Sequence, residues 1–133
     1  MKNFASPPPV ICSARLLWSA VIDSSVTYTD AIYLYVGDIH LGLKRLGPVD
    51  CLAICQNYAD PGEFLLFFCD SSWEIQGITA FRSVEDAKKW AERGYAGIGA
   101  KWKQSNATQQ EIDEFLLHEY DVDPNTEWWK DDL

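Results

Sequence analysis

Three short apolar runs lie close together in the middle of the chain. Asp50 to Asn57 (DCLAICQN), Phe64 to Cys69 (FLLFFC) and Glu74 to Phe81 (EIQGITAF) are each bounded by turn residues, which predicts three β-strands. Between the first two, Ala59-Asp60-Pro61-Gly62-Glu63 is a turn with a mechanism: proline presets φ and glycine admits positive φ. Asp70-Ser71-Ser72-Trp73 supplies the second turn, so the three strands form an antiparallel meander. Phe64 to Phe68 is apolar at every position, which places that strand inside the sheet with both faces covered. A helix follows. In Ser83 to Gly94 (SVEDAKKWAERG), Ser83 is a natural N-cap, Glu85 and Asp86 sit in the first turn, Arg93 in the last, and Gly94 closes it. Val84, Ala87, Trp90 and Ala91 make its apolar stripe.

The flanks of this unit are read with less regular patterns. Residues 95–103 alternate, with Ile98, Ala100 and Trp102 on one side and Lys101 and Lys103 on the other, which predicts a fourth strand at a lysine-guarded edge. Thr108 to Glu111 is a capping box opening a helix to Glu119, with Ile112, Phe115, Leu116 and Tyr120 inward. Residues 13–22 (SARLLWSAVI) space Leu17, Trp18, Val21 and Ile22 on one helical face behind Ser13. Residues 29–46 carry Ile32, Tyr35, Val36, Ile39, Leu43 and Leu46 at helical spacing, with Lys44 and Arg45 in the last turn and Gly47-Pro48 as a stop. Gly37 and Gly42 oppose that helix at about 1 kcal/mol each. A strand over Val26 to Val36 is the alternative, and the helix is preferred. The expected architecture is one α+β domain over 1–133: a mostly antiparallel sheet of about four strands (the three-strand meander, then helix and fourth strand) packed with two or more helices.

Composition adds one feature that the pattern lacks. The 133 residues carry 20 Asp+Glu against 11 Lys+Arg, a formal net charge of -9. The imbalance is local. Residues 1–110 hold 11 acidic and 10 basic residues, whereas 111–133 hold nine acidic residues and one basic, Lys130. This excludes a general nucleic-acid binder, which needs cationic surface for phosphates. No apolar run approaches the ~18 residues of a membrane span. Behind Lys2, the apolar stretch Val10 to Ile22 is broken by Pro7, Pro8 and Pro9 before it and Arg15 within it, so no export signal is read and a cytoplasmic protein is expected.

Trp128 and Trp129 lie inside the acidic segment. One of them is expected to dock on the body, because two free indoles would expose much apolar area. An acidic surface with an aromatic anchor suits a basic protein partner. The residues assigned to that contact are Glu119, Asp121, Asp123, Glu127, Trp128, Asp131 and Asp132.

Chemistry-bearing constellations are thin. Asp121-Val122-Asp123-Pro124-Asn125 opens like a calcium loop, but Thr126 stands where the sharp turn wants glycine and Asp132 replaces the bidentate glutamate, so a turn is preferred. Cys51 and Cys55 share a strand face near Cys69, in no common zinc spacing, and with Cys12 are read as free thiols. His40 and His118 are read as helical surface residues. Trp73 and Trp102 are assigned to the core, and Tyr95, Gly97 and Gly99 to a helix-to-strand passage with special backbone needs. No catalytic residue, metal ligand or cofactor is assigned.

Residues 65–102 (LLFFCDSSWEIQGITAFRSVEDAKKWAERGYAGIGAKW) resemble a small uncharacterised bacterial module. Its pattern runs C-D-x-x-W-x-x-x-G, S-x-E-D-A-K, Y-x-G-[IL] and a tryptophan. The matching positions are Cys69, Asp70, Trp73, Gly77, Ser83, Glu85, Asp86, Ala87, Lys88, Tyr95, Gly97, Ile98 and Trp102. The resemblance implies a strand–turn–strand–helix–strand unit and brings no catalytic residue. By size, charge and architecture the chain also looks like the immunity proteins of bacterial toxin systems, which implies neutralisation of a cationic toxin domain. Two alternatives stand beside this binding role. One is a small enzyme or small-ligand module with a pocket at strands 50–57 and 64–69, walled by Cys51, Cys55 or Cys69. The other is a structural homodimer through Leu16 to Ile22.

Overall fold

The computed structural model describes residues 4–32, 34–38, 40 and 42–132; Lys2 and Ile39, named above, lie outside them. In chain order the strands are β1 (Val10–Ile11), β2 (Ala14–Val21), β3 (Thr27–Tyr28), β4 (Tyr35–Asp38), β5 (Gly42–Arg45), β6 (Cys51–Asn57), β7 (Phe64–Cys69) and β8 (Ile75–Phe81). Then come α1 (Val84–Gly94), β9 (Tyr95–Ala96), β10 (Lys103–Gln104) and α2 (Gln109–Phe115).

The predicted meander is present as β6–β7–β8, antiparallel, with Leu52 opposite Phe68 and Phe67 opposite Ile78. Its turns use the expected chemistry. Glu63 N–H donates to Asp60 O across Pro61-Gly62 at 2.8 Å, and the Asp70 carboxylate accepts the N–H groups of Ser72 and Glu74. The sheet is larger than expected: the order is β1-β2-β6-β7-β8, and β10 joins β2, giving six strands rather than about four.

Both faces of this sheet are covered along β6 and β7, which is why these two strands read as unbroken apolar runs. On the inner face Ala20, Leu52, Ile54, Leu66 and Phe68 meet Ala87 and Ala91 of α1, with Val26, Ile32, Tyr95 and Ile98 completing the cluster. On the outer face Ala14, Leu16, Cys51, Ala53, Cys55, Phe67 and Cys69 pack with Ile11 and Trp73. The segment before β1 is tied to this side by hydrogen bonds at Ala5 and Pro9. Trp73 Nε1 donates to Ala5 O at 2.7 Å, and Leu16 N–H donates to Pro9 O at 2.9 Å. α1 has the predicted cap, with Asp86 N–H donating to Ser83 Oγ at 3.0 Å.

Three expectations are corrected. Residues 13–22 form β2 rather than a helix. Leu16 pairs with Cys55 and Trp18 with Ile54, so Leu17 is an extra residue. A bulge flips the face of everything beyond it, so an alternating strand takes on the spacing of a helix. Ser13, the expected cap, instead stands with Cys12 at positive φ (59° and 47°) in the two-residue turn that pairs β1 with β2.

Residues 29–46 contain the β4–β5 hairpin rather than a helix, with Val36 opposite Lys44 and Asp38 opposite Gly42. Gly37 and Gly42 take φ of 119° and 99°, which no helix uses. Leu34, Val36 and Leu46 then pack over Gly77 of β8. Residues 95–103 are not one strand. Tyr95–Ala96 pairs with β3, a 3-10 turn spans Ile98–Ala100, and only Lys103–Gln104 joins β2. The Glu92 carboxylate accepts the N–H groups of Gly97 (2.6 Å) and Gly99 (3.0 Å), which folds the chain back on α1. Gly97 has φ +96, with Ser25 O 3.0 Å from where a Cβ would stand, so only glycine fits this turn.

Burial has a titration consequence. Tyr95 is fully buried; desolvation pushes its hydroxyl up to about 12, although Val49 N–H donating to that oxygen at 3.1 Å works in the opposite direction. Burial likewise raises Cys69 to about 12 and Cys55 well above the thiol range. These groups keep their protons in the native state after the unfolded chain has lost them. Stability is therefore complete below about pH 8.5 and falls as pH rises through the unfolded thiol and phenol values toward 12. Each group contributes a slope of about 1.4 kcal/mol per pH unit in its window. Urea midpoints measured from pH 8 to 11 should decline steadily; a flat profile would contradict the burial of these groups.

Candidate docking surface

The acidic segment begins at the capping box. Thr108 Oγ1 accepts Glu111 N–H at 3.1 Å, and Glu111 Oε1 accepts Thr108 N–H at 3.1 Å. Both fix the first turn of α2 where its N–H groups lack helical partners. α2 widens into a π turn at Leu116–Tyr120, and Asp121, at φ 53°, ends it. Ile112 and Leu116 point inward against Val10 of β1. The Asp121-Val122-Asp123-Pro124-Asn125 stretch is a turn: Asp123 Oδ1 accepts Asn125 N–H at 2.9 Å, and Thr126 Oγ1 donates to Asp123 O at 2.7 Å. The chain then enters a 3-10 turn, Trp128–Asp132.

Aromatic contact holds that last turn. Trp128 is 4% exposed, lying edge-on to Tyr58 (centroids 5.1 Å apart) and to Tyr120 (5.4 Å). Trp129 is half-buried and stacks on Tyr58 at 5.7 Å and 20°. Tyr58 follows β6, and its N–H donates to Ser13 O, so the segment is anchored where β6 and the β1–β2 turn meet. Burial raises the Tyr58 hydroxyl above its ordinary value.

The assigned contact residues thus divide. Glu119, Asp121, Asp123 and Glu127 are exposed. Asp131 and Asp132 continue the last turn. Trp128 is withdrawn into the core and has no face left for a partner; Trp129 is the indole at the surface edge. Among the described residues, the ion pairs of the body are internal to it: Arg45 with Asp30, Arg82 with Asp60 and Lys101 with Asp23. The segment's own Lys130 pairs with Glu127.

The structure also gathers residues that the sequence reading did not assign to the contact. Glu111, Glu114, Glu119 and His118 rim a shallow groove of about 390 Å³, floored by Pro9 and Phe115. Leu117 stands 52% exposed beside them. Helical spacing from Thr108 could have grouped Glu111 and Glu114, but Pro9 comes from the far end of the chain and left no local signal.

The thiol pocket is not formed. Cys51, Cys55 and Cys69 have no exposed surface, so none walls an open site. Two adjoining depressions of about 390 and 410 Å³ lie along β2 and β10 and share Ser6, Pro7, Ser19 and Lys103, and a smaller one of about 110 Å³ lies at the end of β6 between Arg15, Gln56, Asn57, Tyr58 and Pro61. A thiol reagent at neutral pH should titrate Cys12, the exposed cysteine, quickly and the other three only on unfolding; fast modification of a second thiol in the native protein would reopen the pocket. His40 is exposed in the β4–β5 connection and His118 on the π turn. Trp73 is a core residue at 5% exposure. The described residues form an α+β fold in which no helix is long and apolar enough to cross a membrane. No protein-family model, curated protein or solved structure matches the chain.

Proposed function

We propose that this chain is a non-enzymatic protein-binding domain whose C-terminal segment docks a basic protein, in the manner of an immunity protein that neutralises a cationic toxin domain. One observation carries the reading. Glu111, Glu114, Glu119, Asp121, Asp123 and Glu127 stand exposed on a segment fixed by Trp128, Tyr58 and Tyr120, and among the described residues no cation of the body pairs with them. A fixed acidic surface attracts a cationic partner at long range, and a prefolded one loses little side-chain and loop freedom on docking. Leu117 and Trp129 supply apolar contact beside the charges.

The test uses the whole chain as bait in an extract of its native host. Glu114→Lys and Glu119→Lys together should leave the fold intact, since both side chains are exposed and both residues lie within the helical turns. They should slow association with the captured partner by about 10-fold at low salt and flatten its salt dependence. An unchanged association rate would reduce the surface to a solvated face.

A further inference from the structure

The two edges of the main sheet are unlike. On one side the outer edge of β2 is sealed by β1 at Ala14 and Arg15 and by β10 at Trp18 and Ser19. On the other side the sheet ends at β8, and among the described residues no strand pairs with its far edge. Edge strands are usually blunted by charge or proline. β8 reads IQGITAF, seven residues with neither. Ile75 and Ile78 are 37% and 43% exposed. Both stand on the outer face, since they oppose Cys69 and Phe67 in the ladder.

We propose that β8 is the pairing edge of a two-fold symmetric dimer, with β8 of one copy antiparallel to β8 of a second and Ile78 at the axis. The second copy, rather than a foreign strand, is indicated by the charges that flank β8. Glu74 precedes it and Arg82 follows it. Antiparallel pairing centred on Ile78 sets Gly77 against Thr79 and brings Glu74 of each copy beside Arg82 of the other, so both ends are complementary. A bulge at Gln76, where Phe68 pairs with Gly77 and Cys69 with Ile75, limits continuous pairing to Gly77–Phe81; the long side chains of Glu74 and Arg82 span the remainder. Arg82 already holds Asp60 at 3.2 Å, but that pair is largely solvent-exposed and can share its guanidinium.

Long-range charge agrees. The acidic segment packs on Val10 of β1, at the opposite end of the strand order from β8. Joining β8 to β8 therefore places the two acidic segments outermost, where repulsion between chains of net charge -9 is least. Because the two-fold pairing uses the same β8 edge in both copies, it consumes that edge on each side, and the assembly closes as a dimer rather than extending into a filament.

Sedimentation velocity over micromolar to millimolar chain concentration is the test. Wild type should shift from one to two chain masses. Ile78→Lys sets two ammonium groups face to face at the axis; it should raise the dissociation constant by at least about 30-fold. Circular dichroism should stay native, because the side chain is at the surface. Glu74→Arg and Arg82→Glu should each weaken the dimer by a few-fold, and the double variant should restore it. A chain that stays monomeric throughout, a dimer indifferent to Ile78→Lys, or a double variant no tighter than either single one would overturn the proposal.

Discussion

Replacing Trp128 by alanine is expected to lower stability by about 3–5 kcal/mol, the range for removing a large ring from a packed site. The ring is 4% exposed and meets Tyr58, Tyr120 and Trp129. Ile112 and Leu116 share its cluster. Its loss leaves a cavity with aromatic walls between the C-terminal segment and the body. Trp129→Ala should cost about half as much, because its ring is already partly in water. Urea denaturation of the two variants measures the difference, and limited proteolysis after residue 120 should be faster in Trp128→Ala. Should Trp128→Ala cost less than about 1 kcal/mol, the segment is not held by this ring, and the acidic surface loses the fixed platform on which the binding reading depends.

The second large effect sits at Trp73, where two opposed terms can be compared. Its φ is +65°, a left-handed conformation that costs a non-glycine residue roughly 1–2 kcal/mol. Against this, the ring is 5% exposed on the outer face and its N–H bonds Ala5 O at 2.7 Å. Truncating a buried tryptophan costs about 3–5 kcal/mol, so burial outweighs strain. Trp73→Gly, which relieves the strain, should still destabilise by about 2–4 kcal/mol. Trp73→Ala keeps the strain and loses the ring, so it should be worse by about 1 kcal/mol. In both variants the Ala5 amide, which donates to Ser71 O, should exchange faster with solvent. A glycine variant as stable as wild type would show that the ring contributes no more than its backbone costs.

How far the sequence could be read depended on whether the signal was local. β6, β7, β8 and α1 follow from runs, caps and turn residues within a few positions of one another, and all four stand where expected. The C-terminal capping box at Thr108 was equally legible. Failures came where the deciding partner was distant. Nothing near Leu17 announces a bulge; it exists because β2 must register against Cys51–Asn57. The spacing of 29–46 fitted a helix as well as a hairpin, and Gly77, some forty residues on, accepts the apolar face of the hairpin. Residues 95–103 alternated convincingly, but Glu92 turns them aside. At the candidate surface, the charge excess and the docking of one indole were visible in composition. Which indole docks was not, since Tyr58 lies seventy residues upstream of Trp128 and shares no pattern with it.

The sealed edge of β2 also bears on the order of assembly during synthesis. β1 and β10, which together cover it, are separated by more than ninety residues. A ribosome that has released the β6–β7–β8 meander and α1 has made most of the core, but the outer edge of β2 at Trp18 and Ser19, the edge turned away from β6, has no partner until Lys103 and Gln104 emerge. Such distant pairing slows closure. A nascent chain stalled before that point would leave the main sheet open at β2 as well as at β8, and the added opening would face the same neighbours that β8 is drawn to.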